Sequence, residues 1–349
     1  MIFLKNIWYI AGWDTELPRG TTLARTIINV PIVLFRHMDG SVAALEDRCC
    51  HRAAALHLGK VEGNGLRCMY HGMKFDGDGR CVDIPGQTTI PKAARVISFP
   101  VVELDNWIWV WMGDPELANP DMIPRGISPR DPNWNMITGS LTFKCDYRLI
   151  MDNLLDFSHV TYVHRKTFGG SNAYAETLPD ITISDRSIHI ERWVYNEPTP
   201  VFTWDAFGGP DVRIDMHYDY TLHLPCTFLM RFRHFTAGNV TDGPSNGQLV
   251  LDTWTSQGVT PVSEDKAQYY FSWGASSETD SPGIAPLLER GVKAAFREDR
   301  ETIEAQHINI QRDPERAFVA TGHDQAAMRM RRILDKALEF ENSKSADAA

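Results

Sequence analysis

The stretch Cys49–Gly72, CCHRAAALHLGKVEGNGLRCMYHG, holds two cysteine–histidine pairs, Cys49-x-His51 and Cys68-x-x-His71. Two thiolates and two imidazoles on short loops suit either a zinc ion or a 2Fe-2S cluster of mixed ligation. The order distinguishes them. Zinc fingers usually put both cysteines on one loop and both histidines on another. Here each loop brings one of each, as a cluster needs when two cysteines hold one iron and two histidines the other. The bland alternative is two buried thiols and two hydrogen-bonded core histidines.

The surrounding text is strand-like. From residue 1 to about 112, apolar runs such as TIINVPIVLFRH, SVAALEDRC and NWIWVWMG alternate with Gly, Asp and Pro, which reads as a small all-β domain over residues 1–114. In WIWVWM no residue is charged, so both faces of that strand are expected to be buried in mid-sheet. Pro115, Pro120, Pro124, Pro129 and Pro132 then fall within eighteen residues, which no helix or central strand tolerates, and a linker is expected over 115–135.

Residues 136–349 mix both periods. LTFKCDYRL alternates like a strand, DNLLDFSHVTYVH (residues 152–164) has helical spacing, and SIHIERWVYN, VRIDMHYDYTLHL and AQYYFSW return to strands. PLLERGVKAAFREDRETIEAQHINI is the strongest helix of the last stretch. The fold class is therefore α+β, a small β domain followed by an α+β domain.

Composition excludes several functions. Lys and Arg number 35 against 45 Asp and Glu, and a net charge of −10 with scattered basic residues does not fit nucleic-acid binding. No run of about 18 uncharged apolar residues occurs, and Lys5 interrupts the apolar start without a cleavage site after it, so a cytoplasmic protein is expected. Six cysteines are too few for a disulfide framework in a chain of 349 residues, which favours reduced thiols or metal ligands.

The helical stretch suggests a second metal. His159 and His164 are five apart, not the four that puts both histidines of HExxH on one helical face, so one of them must lie at or beyond a helix distortion. Two histidines and one carboxylate form the facial triad of mononuclear Fe(II), and the carboxylate must come from elsewhere. Asp156, three residues before His159, can accept a hydrogen bond from the imidazole N–H that faces away from the iron. Asp152 reads as a first-turn acid favoured by the helix dipole.

The residues CCHRAAALHLGKVEGNGLRCMYHGMKFDGDGRCVDIPGQ resemble the Rieske 2Fe-2S domain of bacterial aromatic-ring and O-demethylating oxygenases, with Cys50 where a proline usually stands. NIWYIAGW, MGDPELANP and the two helical stretches extend the resemblance over nearly the whole chain, and most closely to the branch of vanillate O-demethylase, dicamba O-demethylase and toluenesulfonate methyl-monooxygenase. It implies a Rieske domain bound through Cys49, His51, Cys68 and His71, then a catalytic domain with an antiparallel sheet flanked by helices, of START/Bet v1-like kind. Met69, Tyr70 and Met73 stand where high-potential Rieske proteins have a cysteine and a serine, so a low-potential cluster is implied.

By the same resemblance, Asp299 in FREDRETIEA completes the triad of His159 and His164, with Glu298 its nearest rival. Asn153 lies beside the iron. Asp156 bridges His159 to the His71 of a neighbouring subunit in a head-to-tail trimer. The implied reaction is oxygenation of a methyl, methoxy or N-alkyl carbon on an aromatic compound with O2 and NADH-derived electrons. A ring cis-dihydroxylase is the alternative, and an electron carrier or zinc-stabilised binding protein a third reading. No dinucleotide fingerprint is present, so a separate reductase, with or without a ferredoxin, must supply the electrons. Substrate contacts are expected from residues 200–290, where Arg231, Arg233, His234, Gln257 and Arg290 are candidates for meeting an acidic group.

Overall fold

A computed structural model describes residues 2–169, 172–209, 211–279 and 284–347. Contacts divide the chain into two units. One comprises Met1–Pro124 with Thr260–Ser263 and Glu341–Ala349, the other Arg125–Val259 with Glu264–Phe340. The division falls at Pro124, within the proline-rich stretch. There Asp114 and Asn119 cap two short turns, each with a proline at its first position, by accepting from the backbone N–H of Glu116 and Asp121.

The first unit is built from antiparallel strands β1 (Trp8–Trp13), β2 (Thr22–Ile27), β3 (Val30–Arg36), β4 (Val42–Glu46), β5 (Lys60–Val61), β6 (Leu66–Arg67), β7 (Lys74–Phe75), β8 (Cys81–Asp83), β9 (Ser98–Phe99), β10 (Val101–Leu104) and β11 (Trp107–Trp111). They form three sheets, β1-β11-β10, β2-β3-β4-β9 and β5-β6-β7-β8. The uncharged strand β11 is buried at all five positions and lies in the centre of its sheet. The unit also recruits residues that the sequence assigns to the second domain. Glu341 accepts from the backbone N–H groups of Lys5 (2.8 Å) and Asn6 (2.9 Å), and Thr260 Oγ1 donates to the carbonyl of Ile10 (2.7 Å). Linear reading of a chain cannot show such returns.

The second unit is a seven-stranded antiparallel sheet in the order β12-β18-β17-β16-β15-β14-β13. Its strands are β12 (Trp134–Phe143), β13 (Asp180–Ile183), β14 (Ser187–Pro198), β15 (Arg213–His223), β16 (Thr227–Thr236), β17 (Leu249–Ser263) and β18 (Lys266–Ser276). β12 begins at Trp134, inside the expected linker, and ends at Phe143 rather than running through LTFKCDYRL. Asp146 then caps helix α1 (Tyr147–Leu155) by accepting from the Arg148 N–H. Short helices α2 (Val160–Val163), α3 (Ala173–Glu176) and α4 (Trp204–Phe207) follow, and two long ones close the chain, α5 (Ile284–Arg312) and α6 (Gln325–Asp347). Helix α5 lies against β12 and β18, burying Leu288, Val292, Ala295, Phe296, Asp299 and Ile303 along one stripe. Among the described residues, no helix is long and apolar enough to cross a membrane.

Candidate functional site

Two turns of the first unit are built alike. The Cys49 N–H donates to the Ala54 carbonyl (2.8 Å) and its carbonyl accepts from Ala53 N–H (2.9 Å), while Cys68 N–H donates to Met73 (2.8 Å) and its carbonyl accepts from Gly72 (3.0 Å). In each turn the residue four after the cysteine has left-handed backbone, Ala53 at φ +56° and Gly72 at φ +77°. Glycine is required at 72, because a Cβ there would stand 2.6 Å from Cγ of Pro85.

These turns bury the Cys49 and Cys68 thiols beside one another and hold the exposed His51 and His71 rings with their centroids 4.5 Å apart. Burial pushes the Cys49 thiol up to about 11, the His51 backbone N–H lowers it, and the adjacent Cys68 thiol raises it again. A thiolate in that place needs a cation to hold its charge. Thiols paired with thiols and imidazoles with imidazoles fit a two-iron cluster with one iron on each pair.

In the second unit, α1 ends at Asp156, whose extended backbone (φ −125°, ψ 99°) starts a short 3-10 turn, Phe157–His159, that leads into α2 and is capped by His164. This break turns two histidines five apart toward one point. Nε2 of His159 lies 3.6 Å from Asp299 Oδ1, and Nε2 of His164 lies 3.1 Å from the same oxygen. All three ligand atoms fall within 4.8 Å of one another.

Their outer nitrogens fix the tautomers. His159 Nδ1 hydrogen-bonds the carbonyl oxygen of Asp156, and His164 Nδ1 bonds Glu298 Oε2 at 2.9 Å. With Nδ1–H donating outward, each Nε2 lone pair points to the common centre, as metal ligation requires. Burial lowers the His159 pKa against the pull of Asp299; in His164 burial also lowers it, but Asp299 and Glu298 outweigh this and raise it. Two imidazole lone pairs converging on one buried carboxylate suit a divalent iron.

Asn153 Nδ2 donates to Asp299 Oδ1 (3.2 Å) and lies 3.5 Å from His159 Nε2, beside the triad. Two expectations need correction. The Asp156 carboxylate does not meet His159, because the helix has ended there; its Oδ1 accepts from the Ser158 N–H (2.8 Å), and only its backbone carbonyl reaches the imidazole. Asp152 is not in a first turn. It lies well inside α1, where Arg331 of α6 grips it through Nε (2.9 Å) and Nη2 (2.6 Å). Glu298, the rival ligand, instead orients His164 and accepts from Thr167 Oγ1 at 2.7 Å. That role was not read from the sequence.

The triad opens into a cavity of about 670 Å³, part of it solvent, walled by aromatic side chains including Phe157, Phe168, Phe232 and Trp273. Of the five substrate-contact candidates, Gln257 alone lines it. Arg231 and Arg233 belong to the other face of β16, His234 is fully buried one step beyond Phe232, and Arg290 is exposed on α5.

Both units resemble known proteins. Residues 7–100 match the Rieske 2Fe-2S domain and residues 143–339 the vanillate O-demethylase oxygenase C-terminal domain. The chain is 36% identical to the toluene-4-sulfonate monooxygenase iron–sulfur subunit of Comamonas testosteroni, covering 99% of this chain and 100% of that one. It is 32% identical to the dicamba O-demethylase oxygenase component of Stenotrophomonas maltophilia, covering 98% and 99%. Dicamba monooxygenase bound to 3,6-dichlorosalicylic acid superposes with a TM-score of 0.89 at 30% identity, covering 98% and 99%, and a further structure of that enzyme holds non-haem iron. The chain therefore belongs to the Rieske-type oxygenases, with a Rieske domain ahead of a catalytic domain of the vanillate O-demethylase kind.

Proposed function

We propose that this chain is the terminal oxygenase of a multicomponent monooxygenase that oxygenates a methyl, methoxy or N-alkyl carbon of an aromatic compound, with NADH-derived electrons from a separate reductase. The observation that carries this reading is the convergence of His159, His164 and Asp299 on an aromatic-walled cavity. Relatives named for O-demethylation of dicamba and vanillate and for N-alkylformylase action on chloroacetanilides support it, and none of these is a ring cis-dihydroxylase.

Cys49, His51, Cys68 and His71 would hold the cluster, and His159, His164 and Asp299 the iron. Bound there, these groups would supply one-electron transfer and O2 activation for a net reaction that puts one oxygen atom into the C–H bond and releases the other, with two electrons and two protons, as water. The protein does the rest. Glu298 and the Asp156 carbonyl hold the two imidazoles in the liganding tautomer, and Asn153 steadies the Asp299 carboxylate. Phe157, Phe168 and Trp273 pack the aromatic substrate and exclude water. A hydroxylated ether carbon then collapses to a phenol and an aldehyde.

We also infer a cytoplasmic homotrimer in which Asp156 of one chain meets the partner subunit's His71 and carries electrons to His159. The exposed His71 ring and the position of Asp156 at the helix break support this. Asp156→Asn should keep both metals and largely lose turnover; wild-type turnover would remove the bridge. The function itself is tested by metal and sulfide analysis of anaerobic protein, and by screening methoxylated and N-alkylated aromatics for aldehyde with NADH and a reductase. Stoichiometric zinc without sulfide, or no O2-dependent aldehyde, would overturn it.

A further inference from the structure

Strand β16 sorts its residues by parity. Phe228, Met230 and Phe232 line the cavity, while Arg231 and Arg233 leave by the opposite face. There Arg231 Nε and Nη2 close on Asp252 at 2.9 and 2.5 Å, and Arg233 Nη2 lies 2.8 Å from His217 Nδ1, whose Nε2 bonds Glu191 at 2.7 Å. Both guanidinium groups are thus committed away from the cavity. Among the described residues no Lys or Arg lines it, and none of the undescribed positions is Lys, Arg or His. The acids Asp299, in the wall, and Glu298, behind His164, place negative charge at the iron-binding end of the cavity, which disfavours a second anion there.

The wall does offer a neutral donor. Trp273 lines the cavity at 6% exposure, and its indole N–H is buried with no acceptor. An indole nitrogen can only donate, so what it lacks is an oxygen or nitrogen lone pair. Gln257 is already engaged, its Oε1 accepting from the Tyr269 hydroxyl (2.5 Å) and its Nε2 donating to Thr255 (3.1 Å). We propose that the cavity takes an uncharged aromatic carrying a carbonyl or ether acceptor away from the reacting carbon, that Trp273 Nε1–H donates to this acceptor, and that the matching carboxylate or sulfonate is rejected. This rests on the oxygenase reading above and narrows its substrate class.

The test uses 4-methoxyacetophenone, 4-methoxybenzoate and 4-methoxytoluene, with affinity measured by calorimetry on anaerobic holoenzyme and aldehyde measured separately with NADH and a reductase. The ketone should bind on the order of 30-fold more tightly than the benzoate, because a buried carboxylate would lack a cationic partner. In Trp273→Phe the ketone's advantage over methoxytoluene should shrink by about 2- to 10-fold, the range of one lost hydrogen bond. Equal or tighter binding of the benzoate, an unchanged ketone-to-methoxytoluene ratio in Trp273→Phe, or no binding by any of the three overturns the proposal. The two readings fail differently. Aldehyde from the benzoate as readily as from the ketone would sink this inference and leave the oxygenase standing, whereas selective ketone binding without any aldehyde would do the reverse.

Discussion

In the first unit, all four side chains proposed to hold the cluster sit on two turns with the same hydrogen-bond plan, and each turn is complete within six residues. In the second, His159 and His164 flank a break between α1 and α2, while Asp299 arrives from α5 far along the chain. One site is made by local backbone geometry and presents its histidines to solvent; the other is made by packing and keeps His164 and Asp299 buried. A site of the first kind tolerates change elsewhere in the fold. A site of the second kind depends on whatever seats α5 against the sheet.

The sharpest way to break this contrast is to delete one ligand from each region. Asp299→Ala should abolish turnover and bring iron down to the cluster's two atoms per chain, with sulfide unchanged. Cys68→Ser should do the opposite, losing sulfide and its visible bands while the triad still binds added iron. Loss of sulfide in Asp299→Ala would mean that the two regions are not independent. A smaller effect separates ligand from orienter. Glu298→Gln removes the carboxylate that holds His164 Nδ1–H but keeps its shape, and iron affinity or turnover should fall about 10- to 100-fold. A total loss would make Glu298 a ligand after all.

The same contrast explains what could be read in advance. The cluster was legible because Cys-x-His and Cys-x-x-His need only a turn each, and WIWVWM declared its own burial. The choice of Asp299 over Glu298 came from the resemblance, since the charge run REDRE by itself reads as a solvated helix face, and the structure supplies the physical reason for it. Val292, Phe296 and Ile303 mark the buried stripe of α5, and Asp299 is the acid that falls on it. The Asp156 carboxylate was misplaced because a break at the residue itself, not the i,i+3 spacing, sets its direction. Arg231 and Arg233 were misplaced because strand parity assigns them to the face opposite Met230 and Phe232. The return of Glu341 to the first unit has no signature in the chain at all.

His234 gives the cavity side a pH signature of its own. It is paired across the sheet with Met216 and Leu251, packs edgewise on Phe232, and leaves both ring nitrogens without a partner. Burial lowers its pKa to about 3. An unfolded histidine titrates near 6.5, so between those values the unfolded chain takes up a proton that the fold refuses, and stability falls as pH drops, by roughly 1.4 kcal/mol per pH unit. His234→Phe removes this slope. Relative to its effect at pH 7.5, the variant should gain about 2 kcal/mol at pH 5 in urea unfolding, and parallel acid limbs in the two proteins would mean that His234 is solvated.

The smallest expected effect comes from Asp152, four residues from Asp156 on the same stretch. Arg331 holds Asp152 with two hydrogen bonds, but the side chains are 33% and 30% exposed, so solvent screens most of the charge. Asp152→Asn keeps one acceptor for the guanidinium and should cost only about 0.5–1 kcal/mol in urea unfolding. Iron, sulfide and turnover should all stay at wild-type levels. The pair of variants then separates two acids that look interchangeable in DNLLDFSHVTYVH. Asp156→Asn changes turnover with little change in stability, and Asp152→Asn changes stability slightly with none in turnover. If Asp152→Asn also lost iron, α1 would have to transmit the Arg331 contact to His159, and the packing that seats the triad would extend to α6.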